Sequence, residues 1–368
     1  MRIALDVSAV PERPAGAGRY VSEISRRLPS QGIDTTLVTR RNDAERWTAW
    51  SPAARVVSPV PSARLARLVY EAVALGRASD VDLWHGPHYT MPRRSKLPIV
   101  VTICDLTFFT NPEWHEARKV PFFRQAIRYA AQHADTLISI SHYTTQLLNE
   151  ICQPSAPIIT APLGVDLERF SRNDQNDETL LRAAELPVGV GFILFVGTIE
   201  PRKGLDVLLH AFAELASEDN DLELWIVGQA GWGVDDNFAA HPFASRIRRI
   251  GYVLDELLPA LMRQARVVAY PSRGEGFGLP VLEALACGAL VVTTANTVME
   301  EVAGTVATLS KVGDTLGLAT ALRSELALDR VQREVRAESA RRRSEIFTWD
   351  ATMAGHVAAY ELALSRGH

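Results

Sequence analysis

Glu275 and Glu283 bracket a glycine-rich junction, Ser272-Arg273-Gly274-Glu275-Gly276-Phe277-Gly278-Leu279-Pro280-Val281-Leu282-Glu283. An ionised carboxylate accepts from two neighbouring hydroxyls at once, so a diol is its natural partner. The glycines let the backbone approach a ligand closely, and a helix opening after them offers N–H groups to an anion. Gly276, Phe277, Gly278 and Leu279 would present those N–H groups to phosphate or sugar, although Phe277 equally fits a plain core anchor. Phosphate with diols on either side describes a nucleotide sugar. A helix-dipole role explains Glu283 alone but not the pair. Upstream, Arg202 and Lys203 follow Gly197 at a strand end. Two cations there could neutralise a diphosphate as a C–O bond breaks, which would make a divalent metal unnecessary. Their plainer reading is a solvated pair in a surface turn.

The first half of the chain carries its own candidates. Gly16 and Gly18 lie where the first strand gives way to the first helix, so backbone amides there could meet phosphate or acceptor, or simply make a tight turn. His85 ends the Val81-Asp82-Leu83-Trp84 run, and histidines at strand ends of an open α/β sheet point toward the ligand crevice. A lone histidine is otherwise more often structural.

Short apolar runs alternating with amphipathic segments place these residues on parallel α/β units. Strands are expected near Ile3–Leu5, Thr36–Val38, Leu83–Trp84, Ile99–Ile103, Thr136–Ile140 and Ile158–Thr160, with helices at Tyr20–Leu28, Leu65–Leu75, Pro121–His133 and Tyr143–Ile151. Pro162–Asp166 and the polar Ser171–Glu178 break the pattern. It restarts with strands at Phe192–Val196, Leu222–Val227, Arg246–Ile250, Val267–Tyr270 and Leu290–Thr293. Helices are expected at Gly204–Ala216, Pro280–Cys287, Asp314–Ala327, Arg330–Glu345 and Asp350–Leu364. The expected domains are 1–170 and 185–346, followed by a terminal helix over 347–368.

The 368 residues, 47% hydrophobic and 22% charged, fit two globular domains rather than one. A net charge of −4 argues against nucleic acid as a partner. Three scattered cysteines, Cys104, Cys152 and Cys287, suit reduced thiols rather than a disulfide framework. No apolar run approaches the ~20 residues of a spanning helix, and no signal peptide is evident, so a cytoplasmic location is expected.

The junction resembles the signature of retaining glycosyltransferases of family 4. Gly16-Ala17-Gly18-Arg19-Tyr20, Gly197-Thr198-Ile199-Glu200-Pro201-Arg202-Lys203-Gly204 and Glu300-Glu301-Val302-Ala303-Gly304 fall in the family's order along nearly the whole chain. The resemblance implies the GT-B fold: two Rossmann-like α/β domains facing each other across a cleft, with the C-terminal helix crossing back to the first. The first domain would take the acceptor and the second the donor. Glu275 would contact sugar hydroxyls, Glu283 the ribose, and Gly228 with the Gly251-Tyr252-Val253-Leu254 turn the nucleobase. Retention in the family is thought to use the leaving diphosphate to take the acceptor's proton, so no dedicated base, metal or other cofactor is expected.

Whole-chain similarity to bacterial polysaccharide mannosyltransferases implies mannose from GDP-mannose, moved to a saccharide or lipid-linked acceptor in glycan biosynthesis. UDP-glucose, UDP-N-acetylglucosamine and dTDP- or GDP-deoxysugars stay open. Relatives carry His-Asp-Leu where this chain has Cys104-Asp105-Leu106, and cysteine is only a weak hydrogen-bond donor. Either His85 or Asp105 compensates, or turnover is slow, or the donor is handled differently. Arg118, Lys119, Arg124 and Arg128, beside Phe122 and Phe123, match the basic helix with which family members sit on anionic membrane, here the inner face of the plasma membrane; a solvated helix face is the alternative. A pyridoxal-phosphate phosphorylase lacks a lysine anchor here. A non-catalytic nucleotide-sugar-binding partner subunit has only Cys104 in its favour.

Overall fold

The computed structural model describes residues 1–12, 14, 16–62, 80–93, 95–173, 175–233 and 238–366. The expected helix Leu65–Leu75 lies outside them. Two compact units form, one from Met1–Gly164 with Trp349–His368 and one from Val165–Thr348. The division falls within the Pro162–Asp166 break rather than at 170. Val165 already belongs to the second unit, because it bridges Thr348 and donates its N–H to the Phe347 carbonyl at 3.0 Å.

Among the described residues the first unit has seven strands, β1 (Arg2–Asp6), β2 (Asp34–Arg40), β3 (Arg55–Val60), β4 (Leu83–Gly86), β5 (Ile99–Ile103), β6 (Thr136–Ser139) and β7 (Ile158–Thr160), in the order β3-β2-β1-β4-β5-β6-β7. Every pairing is parallel. The order reverses between β1 and β4, and ligands of such sheets bind outside the carboxyl ends of the strands near that reversal. Its helices include α1 (Ala17–Arg27), α2 (Ala44–Trp50), α3 (Thr107–Thr110), α4 (Val120–His133) and α5 (His142–Cys152).

The second unit repeats the plan with β8 (Phe192–Val196), β9 (Glu223–Val227), β10 (Ile247–Gly251), β11 (Val267–Tyr270), β12 (Val291–Thr294) and β13 (Thr308–Ser310), ordered β10-β9-β8-β11-β12-β13. Here the reversal falls between β8 and β11. Helices α6 (Asp177–Ala183), α7 (Leu205–Glu218), α8 (Leu257–Gln264), α9 (Leu279–Ala286), α10 (Val298–Ala303), α11 (Thr315–Leu326) and α12 (Arg330–Ser344) complete it. Phe195, Leu208, Phe212, Leu224, Val267 and Leu322 share one core beneath α7 and α11. The final helix, α13 (Trp349–Arg366), packs on β5, β6 and β7 of the first unit. Among the described residues, no helix is long and apolar enough to cross a membrane.

Candidate active site

In the second unit, β8 and β11 end side by side at the reversal of strand order, and each hands over to a turn. The first is a short 3-10 turn, Pro201–Lys203, closed by Gly204 in the left-handed region at φ +68°. A Cβ at Gly204 would sit 2.2 Å from the Pro271 carbonyl, so only glycine lets the two turns touch. They are also laced together: the Arg202 carbonyl accepts from the Arg273 N–H at 2.8 Å and from the Ser272 hydroxyl at 3.1 Å.

This contact brings Arg202, Lys203 and Glu275 into one cluster. Glu275 Oε1 accepts from Lys203 Nζ at 2.6 Å, the Ser272 hydroxyl at 2.8 Å and the Tyr270 hydroxyl at 2.9 Å. Its Oε2 accepts from Arg202 Nη1, which also donates to the Gly274 carbonyl at 3.0 Å. Lys203 additionally donates to the Tyr270 oxygen at 2.7 Å. The three charged side chains are only 10% (Glu275), 11% (Lys203) and 18% (Arg202) exposed. Burial alone would raise the Glu275 pKa, but Arg202, Lys203 and the Ser272 hydrogen bond outweigh it and hold the carboxylate at about 2. Burial lowers the Lys203 pKa, helped by Arg202 and opposed by Glu275. The cluster is thus an ionised carboxylate clasped by two cations, and an incoming diphosphate would compete with Glu275 for them. The surface-turn reading of the pair fails on burial.

Within the signature, Phe277 is buried and meets Phe347 edge-to-face at 5.8 Å, so its ring is a core anchor. Gly278, at φ +96°, caps α9. Glu283 sits beyond the first turn of α9 and is buried, so a dipole role at the helix start does not account for it. Nearby, the ends of β8, β9 and β10 converge. Gly228 donates its N–H to the Gly251 carbonyl at 2.7 Å, and a Cβ at Gly228 would lie 1.9 Å from the Gly197 carbonyl. Val253 and the exposed Leu254 follow directly on this junction.

The first unit corrects three expectations. Gly16 caps α1, but Gly18 lies inside its first turn rather than in a loop, packed on Pro14. His85 does not face a crevice. The ring is fully buried and bonded at both nitrogens, to the Thr102 hydroxyl at 2.9 Å through Nε2 and to the Tyr360 hydroxyl at 2.9 Å through Nδ1. Burial and the nearby His356 ring lower its pKa well below the ordinary histidine range. It is a core residue because β4 is buried along its whole length and α13 covers it. Asp105 is not an open carboxylate either: its Oδ1 accepts from the Thr107 N–H at 3.0 Å and the Thr107 hydroxyl at 2.6 Å.

Cys104 is buried with Sγ 3.8 Å from the Pro87 carbonyl, and burial pushes its thiol pKa far up. Of the basic residues near α4, Arg118 and Lys119 both pair with Glu116, at 2.7 and 2.5 Å. These hydrogen bonds, Lys119's first, hold the Glu116 pKa at about 2. Arg124 donates to the Phe108 carbonyl at 2.8 Å, and Arg128 lies over the Phe109 ring. Tyr270 and Ser272 were missed as site residues. Each reads as strand or turn material in sequence, and only a buried hydroxyl's need for a partner hints at more.

The family model for "Glycosyltransferase Family 4" matches residues 14–169, and that for "Glycosyl transferases group 1" matches residues 191–327. The chain is 30% identical to O-antigen chain mannosyltransferase B of Escherichia coli over 285 residues, covering 76% of this chain and 74% of that protein. It is 34% identical to a D-inositol 3-phosphate glycosyltransferase of Salinispora arenicola, covering 95% of this chain and 88% of the relative. The fold matches that of Anabaena HepE, solved in complex with UDP-glucose, with a TM-score of 0.78 at 19% identity over 98% of this chain and 100% of the other. Two Rossmann-like units of this kind make the GT-B fold, and the chain belongs to the family 4 glycosyltransferases.

Proposed function

We propose that this glycosyltransferase moves mannose from GDP-mannose, with retention, onto a saccharide or lipid-linked saccharide in polysaccharide biosynthesis. The observation that carries the reading is the buried Arg202–Lys203–Glu275 cluster at the carboxyl ends of β8 and β11. The diphosphate of the donor takes the two cations, and the Glu275 carboxylate turns to the sugar hydroxyls. Preorganised positive charge then stabilises the nucleoside diphosphate as it leaves, in the role that a divalent metal plays elsewhere. Mannose is favoured by the O-antigen chain mannosyltransferase among the relatives. A UDP-hexose is the second reading, favoured by the UDP-glucose complex of HepE. For a lipid-linked acceptor, exposed Phe122 beside Arg118, Lys119, Arg124 and Arg128 offers a peripheral contact with anionic membrane.

Incubation of the full chain with GDP-mannose and methyl α-D-mannopyranoside, followed by NMR of the product, tests the proposal. GDP release with an α-linked disaccharide is expected. Consumption of UDP-glucose with GDP-mannose untouched would transfer the proposal to the second donor, and a β-linked product would refute retention.

A further inference from the structure

Four side chains donate to Glu275, and they stand on unequal footing. Lys203 and Arg202 lie in the 3-10 turn Pro201–Lys203, and Ser272 lies in the loop after β11. Tyr270 is instead the last residue of β11, in the middle of the sheet. It pairs with Thr293 of β12, whose hydroxyl donates to the Tyr270 carbonyl at 2.8 Å, and its side chain is buried. A buried phenol on a central strand is held more precisely than a side chain on a turn.

The proton directions at the Tyr270 hydroxyl have one solution. The Lys203 ammonium can only donate, so it gives a proton to the Tyr270 oxygen across 2.7 Å. The ionised Glu275 carboxylate can only accept, so the single phenol proton goes to Oε1 across 2.9 Å. Burial and the Glu275 charge raise the Tyr270 pKa well above the ordinary phenol range, so the proton stays on the phenol oxygen. The Ser272 hydroxyl differs. Its one proton is shared among three acceptors, Oε1 at 2.8 Å and the Arg202 and Gly274 carbonyls at 3.1 and 3.4 Å. Tyr270 is therefore the uncharged donor committed to Glu275.

The two carboxylate oxygens consequently differ as well. Oε1 carries Tyr270, Ser272 and Lys203, whereas Oε2 carries Arg202. A diphosphate that draws off both cations takes Arg202 from Oε2 but leaves Oε1 with its hydroxyl donors.

We propose that Tyr270 is a positioning residue for the donor sugar: its hydroxyl keeps hold of Glu275 Oε1 when the diphosphate takes Arg202 and Lys203, so that Oε2 is the atom that meets the sugar hydroxyls. This rests on the transferase reading above and refines it, since the carboxylate pivots about Oε1 rather than turning as a whole. Because Tyr270 also accepts from Lys203 in the free enzyme, its hydroxyl opposes nucleotide binding slightly while it serves the sugar.

Calorimetric titration of the full chain with GDP and with GDP-mannose separates the two effects. Tyr270→Phe should bind GDP as tightly as wild type or up to about 10-fold tighter, because Lys203 loses a partner with which phosphate competes. The ratio of the GDP-mannose Kd to the GDP Kd should rise about 3- to 10-fold, the loss of one hydrogen bond. In transfer to methyl α-D-mannopyranoside, kcat should fall about 10- to 100-fold, as for a hydrogen bond to a charged group. A merely structural role would weaken both ligands alike. An unchanged Kd ratio, or an unchanged kcat, overturns the proposal. A crystal structure of wild type with GDP-mannose tests it without a variant. Tyr270 Oη should lie within about 3 Å of Oε1, with Oε2 on a sugar hydroxyl, and a carboxylate swung away from Tyr270 overturns the proposal. If GDP-mannose does not bind wild type, the same measurements use whichever UDP-, dTDP- or ADP-sugar does, with its nucleoside diphosphate. Binding of none overturns the donor site itself, and this proposal with it.

Discussion

On the proposed function, Glu275 clasps Arg202 and Lys203 in the free enzyme and yields them to the donor, and the structure gives the first of these arrangements. Without ligand Glu275 takes hydrogen bonds from Lys203, Ser272, Tyr270 and Arg202, so both cations are satisfied. Removing the carboxylate takes the counter-charge from largely buried Lys203 and leaves Arg202 with Glu200 at 3.5 Å, and uncovering a buried charge destabilises a fold by roughly 3 kcal/mol or more. Glu275→Ala should therefore lower Tm as well as activity, measurable by calorimetry. Glu275→Gln should lose transfer by about 10²- to 10³-fold. GDP should bind it at least as tightly as wild type, since the diphosphate no longer competes with a carboxylate for Arg202 and Lys203. Weaker GDP binding to Glu275→Gln, by calorimetric titration, would contradict this competition. The pH sign follows from a folded value of about 2 against an ordinary 4.5. Stability from the clasp is fully present above pH 4.5 and fades as pH falls toward 2.

At the scale of elements, the turns after β8 and β9 depend on glycines for close approach rather than for flexibility. Gly204→Ala would place a methyl group 2.2 Å from the Pro271 carbonyl with its backbone already at φ +68°. It should lower stability by at least about 2 kcal/mol in denaturant unfolding and weaken donor binding with it, because it separates Arg202 from the signature loop. The strands that carry the site were readable: Phe192–Val196 and Val267–Tyr270 are unbroken apolar runs and Ile99–Ile103 is interrupted by Thr102 alone, as suits strands buried on both faces. Missed elements have physical reasons. Strand β3 is a half-exposed edge with Pro59 in it, and β13 spans three residues. Helix α8 hides behind Pro259, which its first turn tolerates. The Arg202–Lys203–Glu275 grouping was legible because each residue lies in the turn that follows a strand. His85 misled for the same reason, since the partner that seals it, Tyr360, is 275 positions away.

At the scale of the whole molecule, the terminal helix is tied to its unit by a buried chain of hydrogen bonds with a defined direction. The Thr352 carbonyl accepts from His356 Nδ1 at 2.8 Å, so His356 Nε2 accepts from Tyr20 at 2.8 Å. Tyr20 in turn accepts from Thr102 at 2.8 Å, Thr102 from His85 Nε2, and His85 Nδ1 from Tyr360. Tyr360→Phe leaves a buried acceptor unmet and should destabilise by about 1–3 kcal/mol. Burial depresses the His356 pKa to about 4, so the unfolded chain binds its proton first as pH falls. Stability should drop between about pH 6.5 and pH 4, by about 3 kcal/mol from this residue alone, and His85 acts in the same direction. Equilibrium unfolding across that range in wild type and His356→Gln checks it, the variant having the shallower slope. A thermal-shift titration with GDP-, UDP-, dTDP- and ADP-sugars in EDTA tests whether the second unit holds a nucleotide sugar through Arg202 and Lys203. A saturable rise in Tm with GDP-mannose is expected, and it should be lost in Arg202→Ala and Lys203→Ala. No rise with any nucleotide sugar, or an equal rise in those variants, would contradict that role for the two cations.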